Sequence, residues 1–360
     1  IMPKDIINGK VETESIARIG EDDELRLKEH KLKRGDIVFA RRGDLGRCAL
    51  IHERENGWLC GTGSLRVSLG DAVVDPTYLF YYFNHADIIS WIKSRAIGAT
   101  LPNLNTSIIR DIPISYPALP IQRKIADLLS AYDDLIEVNT RRIRILEQMA
   151  QSVYREWFGK VDAKSLPEGW EIGIIRDICE SYSYGYTAKA KAEPVGPKYL
   201  RITDIVPEHI DWDYVPYCEI EEKDIDKYLL QEGDIVVART GATTGYAKRL
   251  GTKHPKSIFA SYLVRFRANK HFSHYFLGII VEGNEYKQFI RTNLSGAAQP
   301  MANAQVLTSY PIIIPPKELL NKFDEQIKSL FALKEVLQKK NANLRRTRDL
   351  LLPRLVSGEI

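Results

Sequence analysis

The chain has 360 residues, 44% hydrophobic and 27% charged, with a formal net charge of +4. That length predicts two or more domains, and the composition is that of a soluble globular protein. The mild positive charge permits a nucleic-acid partner without announcing one, because binding needs a local basic surface rather than a large net charge.

The first segment to stand out is LKRGDIVFARRG (32–43), read as a strand behind a Gly-Asp turn. The same segment returns 198 positions later as LQEGDIVVARTG (230–241), with eight of twelve residues identical. Further pairs keep nearly the same offset: MPKDI (2–6) with RITDI (201–205), GATLPNLN (98–105) with GAAQPMAN (296–303), and DIPISYPALP (111–120) with SYPIIIPPKE (309–318). Duplication at this length predicts two copies of one domain rather than a solenoid of short repeats. Copy two opens around LPEGWE (166–171), some 35 residues before RITDI, whereas copy one starts almost at its counterpart. The opening strands of copy one are therefore expected to be missing from this sequence.

Copy one is assigned to 1–119. It is followed from Pro120 by a run free of Gly and Pro to Phe158, with Pro120 suited to a first helical turn. Ile125, Tyr132, Asn139, Leu146 and Val153 recur every seven residues, with Leu128, Leu135 and Met149 interleaved. After a linker (159–165) and copy two (166–315), a second helix (316–357) places Phe323, Leu330, Leu337, Leu344 and Leu351 in the same column. Sustained sevens predict a coiled-coil seam. The two stripes most simply cover each other, and an antiparallel pair with a pseudo-two-fold relation is favoured because a parallel one would crowd both domains at one end. The polar residues Asn139, Lys334, Asn341 and Arg348 interrupt the columns and are expected to specify register, or else to be covered by a partner.

Within the domains, short β-type runs such as GDIVVAR and SYLVRFRA alternate with Gly, Asn and Pro turns, an α+β composition. Signatures of catalysis fail in turn. GATTGYAKRLG (241–251) lacks the Gly-Lys-Ser/Thr of a phosphate loop, IPPK (314–317) lacks the amide and aromatic ring of an adenine-methyltransferase motif, and GTG (61–63) lacks a third glycine. EIEEKDID (219–226) reads as a solvated acidic turn rather than a metal site, and His271 and His274 lack a third ligand nearby. Four scattered cysteines make neither a metal cage nor a disulfide framework, and reduced thiols in a cytoplasm are expected. No run of about 18 apolar residues is present to cross a membrane.

Two globular regions alternating with two long helices resemble the specificity subunit of type I restriction-modification enzymes. The resemblance rests on LPEGWE, YLRITDI (199–205), GDIVVARTG (233–241), the GAAQP loop (296–300) and the closing LLLPRLVSGEI (350–360), in that order. It implies a non-catalytic chain whose two target recognition domains each read one half of a split double-stranded DNA target. The helices would set the gap and dock two methyltransferase subunits, with motor and nuclease subunits joining through them. S-adenosylmethionine, ATP and Mg would then belong to the partners, with no cofactor in this chain. Two alternatives stay open: the recognition chain of another methyltransferase-nuclease system, and a coiled-coil scaffold that never touches DNA.

If the copies read different half-sites, shared residues should hold the fold or grip phosphates, and residues that differ should read bases. Arg41 and Arg239 are shared, and so are backbone-gripping or structural candidates. Arg42, Asp44 and Arg47 stand where copy two has Thr240, Ala242 and Tyr246, which makes these positions specificity candidates alongside Thr243. SYSYGYTAKAK (181–191) offers Tyr182, Tyr184, Tyr186, Lys189 and Lys191 as a DNA-contacting surface, or else is a flexible loop. Lys93 and Arg95, like Lys287 and Arg291, precede the Gly-Ala loops as phosphate-contact candidates.

Overall fold

The computed structural model describes residues 1–14, 16–70, 73–96, 103–207, 209–294 and 301–359. The chain divides into two compact units, 1–138 with 343–360, and 139–342. Each is a mixed α/β domain with part of both long helices.

Unit 1 contains β1 (Ile6–Ile7), β2 (Lys10–Val11), α1 (Glu21–Arg26), β3 (Ile37–Ala40), β4 (Cys48–Leu50), β5 (Ser64–Val67), α2 (Pro76–Phe83), α3 (Ala86–Arg95) and α4 (Thr106–Arg110), then the start of α5 (Leu119–Phe158). Its main sheet has the order β4-β3-β5, antiparallel throughout. Unit 2 contains β6 (Glu171–Ile174), β7 (Cys179–Tyr184), β8 (Lys198–Leu200), α6 (Ile202–Ile205), α7 (Glu222–Tyr228), β9 (Ile235–Ala238), β10 (Ala247–Arg249), β11 (Ser257–Phe259), β12 (Leu263–Ala268), α8 (His274–Glu282), α9 (Asn284–Asn293), α10 (Ala304–Leu307) and β13 (Pro311–Ile314), with most of α11 (Lys317–Ser357). Its main sheet is β10-β9-β12-β7. The trio β4-β3-β5 of unit 1 thus has its counterpart in β10-β9-β12.

The Gly-Asp pairs explain how the repeated strands begin. Gly35 and Gly233 have φ of +90° and +81°, a left-handed conformation that side chains avoid. Asp36 and Asp234 then turn inward, 4% and 1% exposed. Each carboxylate accepts from the backbone N–H three residues back, Lys33 and Gln231, at 2.8 Å. These aspartates are structural. The strands that follow are buried on both faces, not on one as an alternating pattern suggests. Ile37 and Phe39 enter one core of unit 1 while Val38 and Ala40 enter another. In unit 2, Ile235 and Val237 are likewise separated from Val236 and Ala238.

Two stretches differ from their sequence reading. The acidic run 219–226 forms most of α7 rather than an open turn. SYSYGY is no flexible loop: Cys179–Tyr184 is a strand paired antiparallel with β12.

In unit 2, α5 and α11 lie antiparallel. Phe158 meets Phe323 at 5.0 Å between ring centroids, Glu147 pairs with Lys334 at 2.7 Å, and the Asn139 amide donates to Asn341 at 2.9 Å. The partner's number thus rises as that on α5 falls. In unit 1, Asp133 pairs with Arg348 and accepts from the Tyr81 hydroxyl at 2.7 Å, while Leu351, Leu352, Leu355 and Val356 pack against the core containing Ile125 and Leu129. The inner face of α5 combines Ile125, Asn139 and Leu146 with Leu129, Ile136, Ile143 and Ala150. Tyr132 and Val153 are half-buried, as are Leu330, Leu344 and Leu351, whereas Phe323 and Leu337 are buried. The interleaved column read from the sequence is one residue off. Leu128, Leu135 and Met149 are 43%, 53% and 46% exposed. Apolar residues occupy both columns, so periodicity alone did not choose between them.

Leu337 is 2% exposed and packs with Ile143 and Leu146. Leu337→Ala should cost about 2–5 kcal/mol in chemical denaturation, the range for a large-to-small change in a packed site. A pH effect follows from His274, whose buried Nδ1 meets no hydrogen-bond partner. Burial, with the Arg249 charge beside it, lowers this imidazole to about 4. An unfolded histidine titrates near 6.5, so on acidification the unfolded chain takes up the proton first. The contribution is complete above about pH 6.5 and is lost progressively towards pH 4. Denaturation midpoints measured across that window should fall less steeply for His274→Gln than for the parent chain.

Candidate nucleic-acid interface

In unit 1 the candidate loop leaves the end of β3. Ala40 N–H donates to Arg47 O at 2.8 Å, closing the loop on itself, and Gly43 and Gly46 supply φ of +83° and +91°. Arg41 is held on both sides: its Nε donates to Leu104 O at 3.2 Å, and Leu104 N–H donates to Arg41 O at 2.9 Å. Arg42 and Asp44 stand exposed, with Lys93 at the end of α3 reaching Asp44 at 3.6 Å. Arg95 lies over the Trp91 ring at 5.2 Å. Arg47 is half-buried and donates through Nη2 to Pro3 O at 2.9 Å.

Unit 2 repeats this frame with different occupants. Ala238 N–H donates to Tyr246 O at 2.8 Å, so Tyr246 holds the place of Arg47 after a one-residue insertion. Arg239 Nε donates to Ala302 O at 3.3 Å and Ala302 N–H returns to Arg239 O at 2.8 Å, the same reciprocal clamp as at Arg41. Arg239 also donates to Ser261 O at 3.3 Å and lies 4.6 Å over the Tyr184 ring. Tyr184 in turn accepts from Ala304 N–H at 2.9 Å. Thr240 bridges to Met301, Thr243 is half-buried in the loop, and the Lys287 ammonium lies 4.9 Å over Tyr246.

The structure thus brings Tyr184, Arg239 and Thr240 together, and pairs Tyr246 with Lys287. Tyr182 is exposed on the same strand face as Tyr184. Tyr186 instead packs against Tyr228 at 5.2 Å, and Lys191 pairs with Glu219 at 2.6 Å. Lys189 and Arg291 are exposed. The Gly-Ala loops at 98–102 and 296–300 lie outside the described residues. Sequence reading missed Tyr262, which is 60% exposed and offers its carbonyl to Arg239 N–H at 3.0 Å. Its counterpart in unit 1 is Gly63, whose carbonyl accepts from Arg41 N–H at 2.8 Å. The contrast between the copies was there to be read, but only the strand register aligns these two positions.

A family model described as the type I restriction modification DNA specificity domain matches residues 5–148 and 167–345. The chain belongs to this family. As a specificity subunit it is similar to the type I restriction enzyme MjaIX specificity subunit of Methanocaldococcus jannaschii, 28% identical with 100% of this chain and 86% of the relative covered. The MjaVIII specificity subunit of the same organism is 24% identical, over 91% of this chain and 76% of the relative. In fold it resembles the crystal structure of the type I restriction-modification S subunit from M. genitalium, with a TM-score of 0.56, 15% identity, and 91% and 84% of the two chains covered. A specificity subunit is a non-catalytic DNA-specificity component. Among the described residues no cluster of three or more His, Cys, Asp or Glu could hold a metal ion, and no helix is long and apolar enough to cross a membrane.

Because the Arg239 clamp ties the loop to 302, Arg239→Ala should free that segment. Hydrogen exchange at the Ala302 amide should rise by at least tenfold while exchange in β9 stays slow; unchanged protection of Ala302 would mean the clamp is not what holds the segment.

Proposed function

We propose that this specificity subunit reads a bipartite double-stranded DNA target, one half with each recognition domain (1–119 and 166–315). The two long helices would set the spacer and dock two methyltransferase subunits, with motor and nuclease subunits joining through them, in the cytoplasm. The observation that carries the reading is the duplicated loop frame. Arg41 and Arg239 make the same carbonyl contacts, while Arg42, Asp44 and Arg47 give way to Thr240, Ala242 and Tyr246. A common frame with exchanged side chains suits two readers of different sequence, since arginine matches guanine edges and threonine can touch a thymine methyl group. Lys93, Arg95, Lys287 and Arg291 are assigned to phosphates, which carry no sequence information.

The ruler rests on length. A helix of 40 residues spans about 60 Å, enough to bridge half-sites about 34–36 Å apart. Docking is supported by apolar residues of α5 that the chain leaves uncovered: Ile121, Leu128 and Leu135 in unit 1, and Ile145 and Met149 in unit 2, between 43% and 54% exposed. An apolar row at heptad spacing fits a partner helix.

Co-expression with the adjacent methyltransferase, followed by mapping of adenine methylation in long reads, tests the whole reading: a split motif with a fixed gap is expected. A Thr240→Arg, Tyr246→Ala variant should change bases in one half of that motif and leave the gap unaltered. Leu344→Asp, in the heptad column read from the sequence, should abolish split-site methylation; a folded Leu344→Asp chain that still directs the same gapped motif would remove the ruler.

A further inference from the structure

The end of β9 carries two exposed apolar side chains that the base-reading candidates above do not include. Leu263 pairs with Ala238, and Arg239 N–H donates to Tyr262 O at 3.0 Å, which sets Tyr262 beside Arg239. One position on, Thr240 bridges antiparallel to Met301, and Ala302 N–H donates to Arg239 O at 2.8 Å. Tyr262 and Met301 therefore sit at successive rungs along one strand end, 60% and 55% exposed. A single exposed apolar side chain is ordinary. Two on neighbouring rungs make a small apolar surface on the same loop frame whose side chains differ between the copies.

Both main chains are pinned. Leu263 N–H donates to Ala260 O at 2.8 Å, closing a tight turn around Tyr262. Ser261 N–H donates to Tyr186 O at 2.9 Å, and Ser261 O accepts from Arg239 Nη1 at 3.3 Å. Met301 is fixed by its bridge to Thr240 and by the bond of Ala302. Side chains on a fixed backbone give up little freedom on contact. The tyrosine contributes a broad rigid ring and the methionine an adaptable thioether.

Unit 1 keeps the frame without the surface. Arg41 N–H donates to Gly63 O at 2.8 Å and Leu104 N–H to Arg41 O at 2.9 Å, so Gly63 and Asn103 stand where unit 2 has Tyr262 and Met301. Gly63 has φ of +84°, a conformation that a tyrosine would strain to adopt. Asn103 is half-buried, and its Oδ1 meets no hydrogen-bond partner among the described residues. An amide reads by donating and accepting hydrogen bonds, which a thioether scarcely does. The two units thus offer different chemistry at one place.

The surroundings favour DNA as the occupant. Segments 239–246 and 301–306 contain no acidic residue, and Arg239 and the Lys287 ammonium over Tyr246 supply positive charge. Within the grooves of a duplex, the apolar group on offer is the C5 methyl of thymine, in the major groove. We propose that Tyr262 and Met301 form an apolar reader of thymine methyl groups in the half-site bound by unit 2. The inference rests on the bipartite reading above and adds the chemistry that this half-site must present.

The test uses the full chain in complex with its adjacent methyltransferase, and duplexes carrying the motif found by methylation mapping. Each thymine in turn is replaced by uracil, which lacks only the methyl group. One buried methyl group corresponds to about fourfold in affinity. A loss of that size is expected for at least one thymine, in the half whose bases change with Thr240→Arg, Tyr246→Ala. In a Tyr262→Ala, Met301→Ala complex, thymine and uracil duplexes should bind alike at that position, with readout of the other half unchanged. Tyr262→Phe keeps the ring and should keep the difference. The assignment is overturned if no thymine in that half is sensitive to its methyl group, or if the sensitivity survives the double substitution. It is also overturned if the double variant binds both duplexes equally more weakly than the parent does, or if it no longer binds the methyltransferase, which would make the surface a protein contact. A parent complex that directs no split motif overturns the bipartite reading and this inference with it.

Discussion

A helix of some forty residues with a continuous apolar stripe cannot stand alone in water, and the rest of this structure is arranged around that constraint. Covering the stripe is worth roughly 25 cal/mol for each Å² removed from solvent, so each unit buries it wherever apolar surface is at hand. In unit 2, Leu146 and Ile143 meet Leu337, and further along Phe158 joins a cluster with Phe276 and Phe323. In unit 1, Ile125 and Leu129 join the domain core itself, with the end of α11 packed against it. Helix and domain are therefore one core in each unit. Charged groups make the same junctions: Arg249 lies against the stacked pair Tyr275 and Phe331, 4.8 and 4.6 Å from the two ring centroids, and bonds Glu335 at 3.3 Å.

Asn139 and Asn341 break this apolar continuity, 9% and 2% exposed and bonded to each other. Two amides buried in a seam favour the one alignment in which they meet, because any slip would leave both unsatisfied. Asn341 also donates to Thr140 at 3.2 Å. Stability is given up locally in return for a defined register.

Much of this was legible in the sequence, and for physical reasons. Duplication at a constant offset disclosed two domains, and sevens disclosed two paired helices, because both are statements of period that survive whatever the surroundings do. The inner column of α5 was not legible: Leu128 and Leu129, or Leu135 and Ile136, are apolar neighbours, and only the packing decides which faces inward. The strand at Cys179–Tyr184 was hidden because its inner positions are serines, while the tyrosines that favour a strand face outward, so no apolar alternation marks it. At the candidate interface, Arg41 and Arg239 were visible as shared residues, but their carbonyl partners at Leu104 and Ala302 lie 63 positions along the chain. No local pattern announces a bond of that range.

Those carbonyl partners carry a consequence for how such a chain can change over time. A guanidinium that donates to peptide oxygens is indifferent to the side chains of the residues supplying them; Leu104 and Ala302 serve equally. Substitutions in the loops and in the segments they clasp can therefore accumulate without loosening the attachment between them. Apart from the arginine itself, the anchor lies in main-chain carbonyls, which substitution of the neighbouring residues leaves in place. Single replacements among the exposed loop residues therefore leave the frame standing.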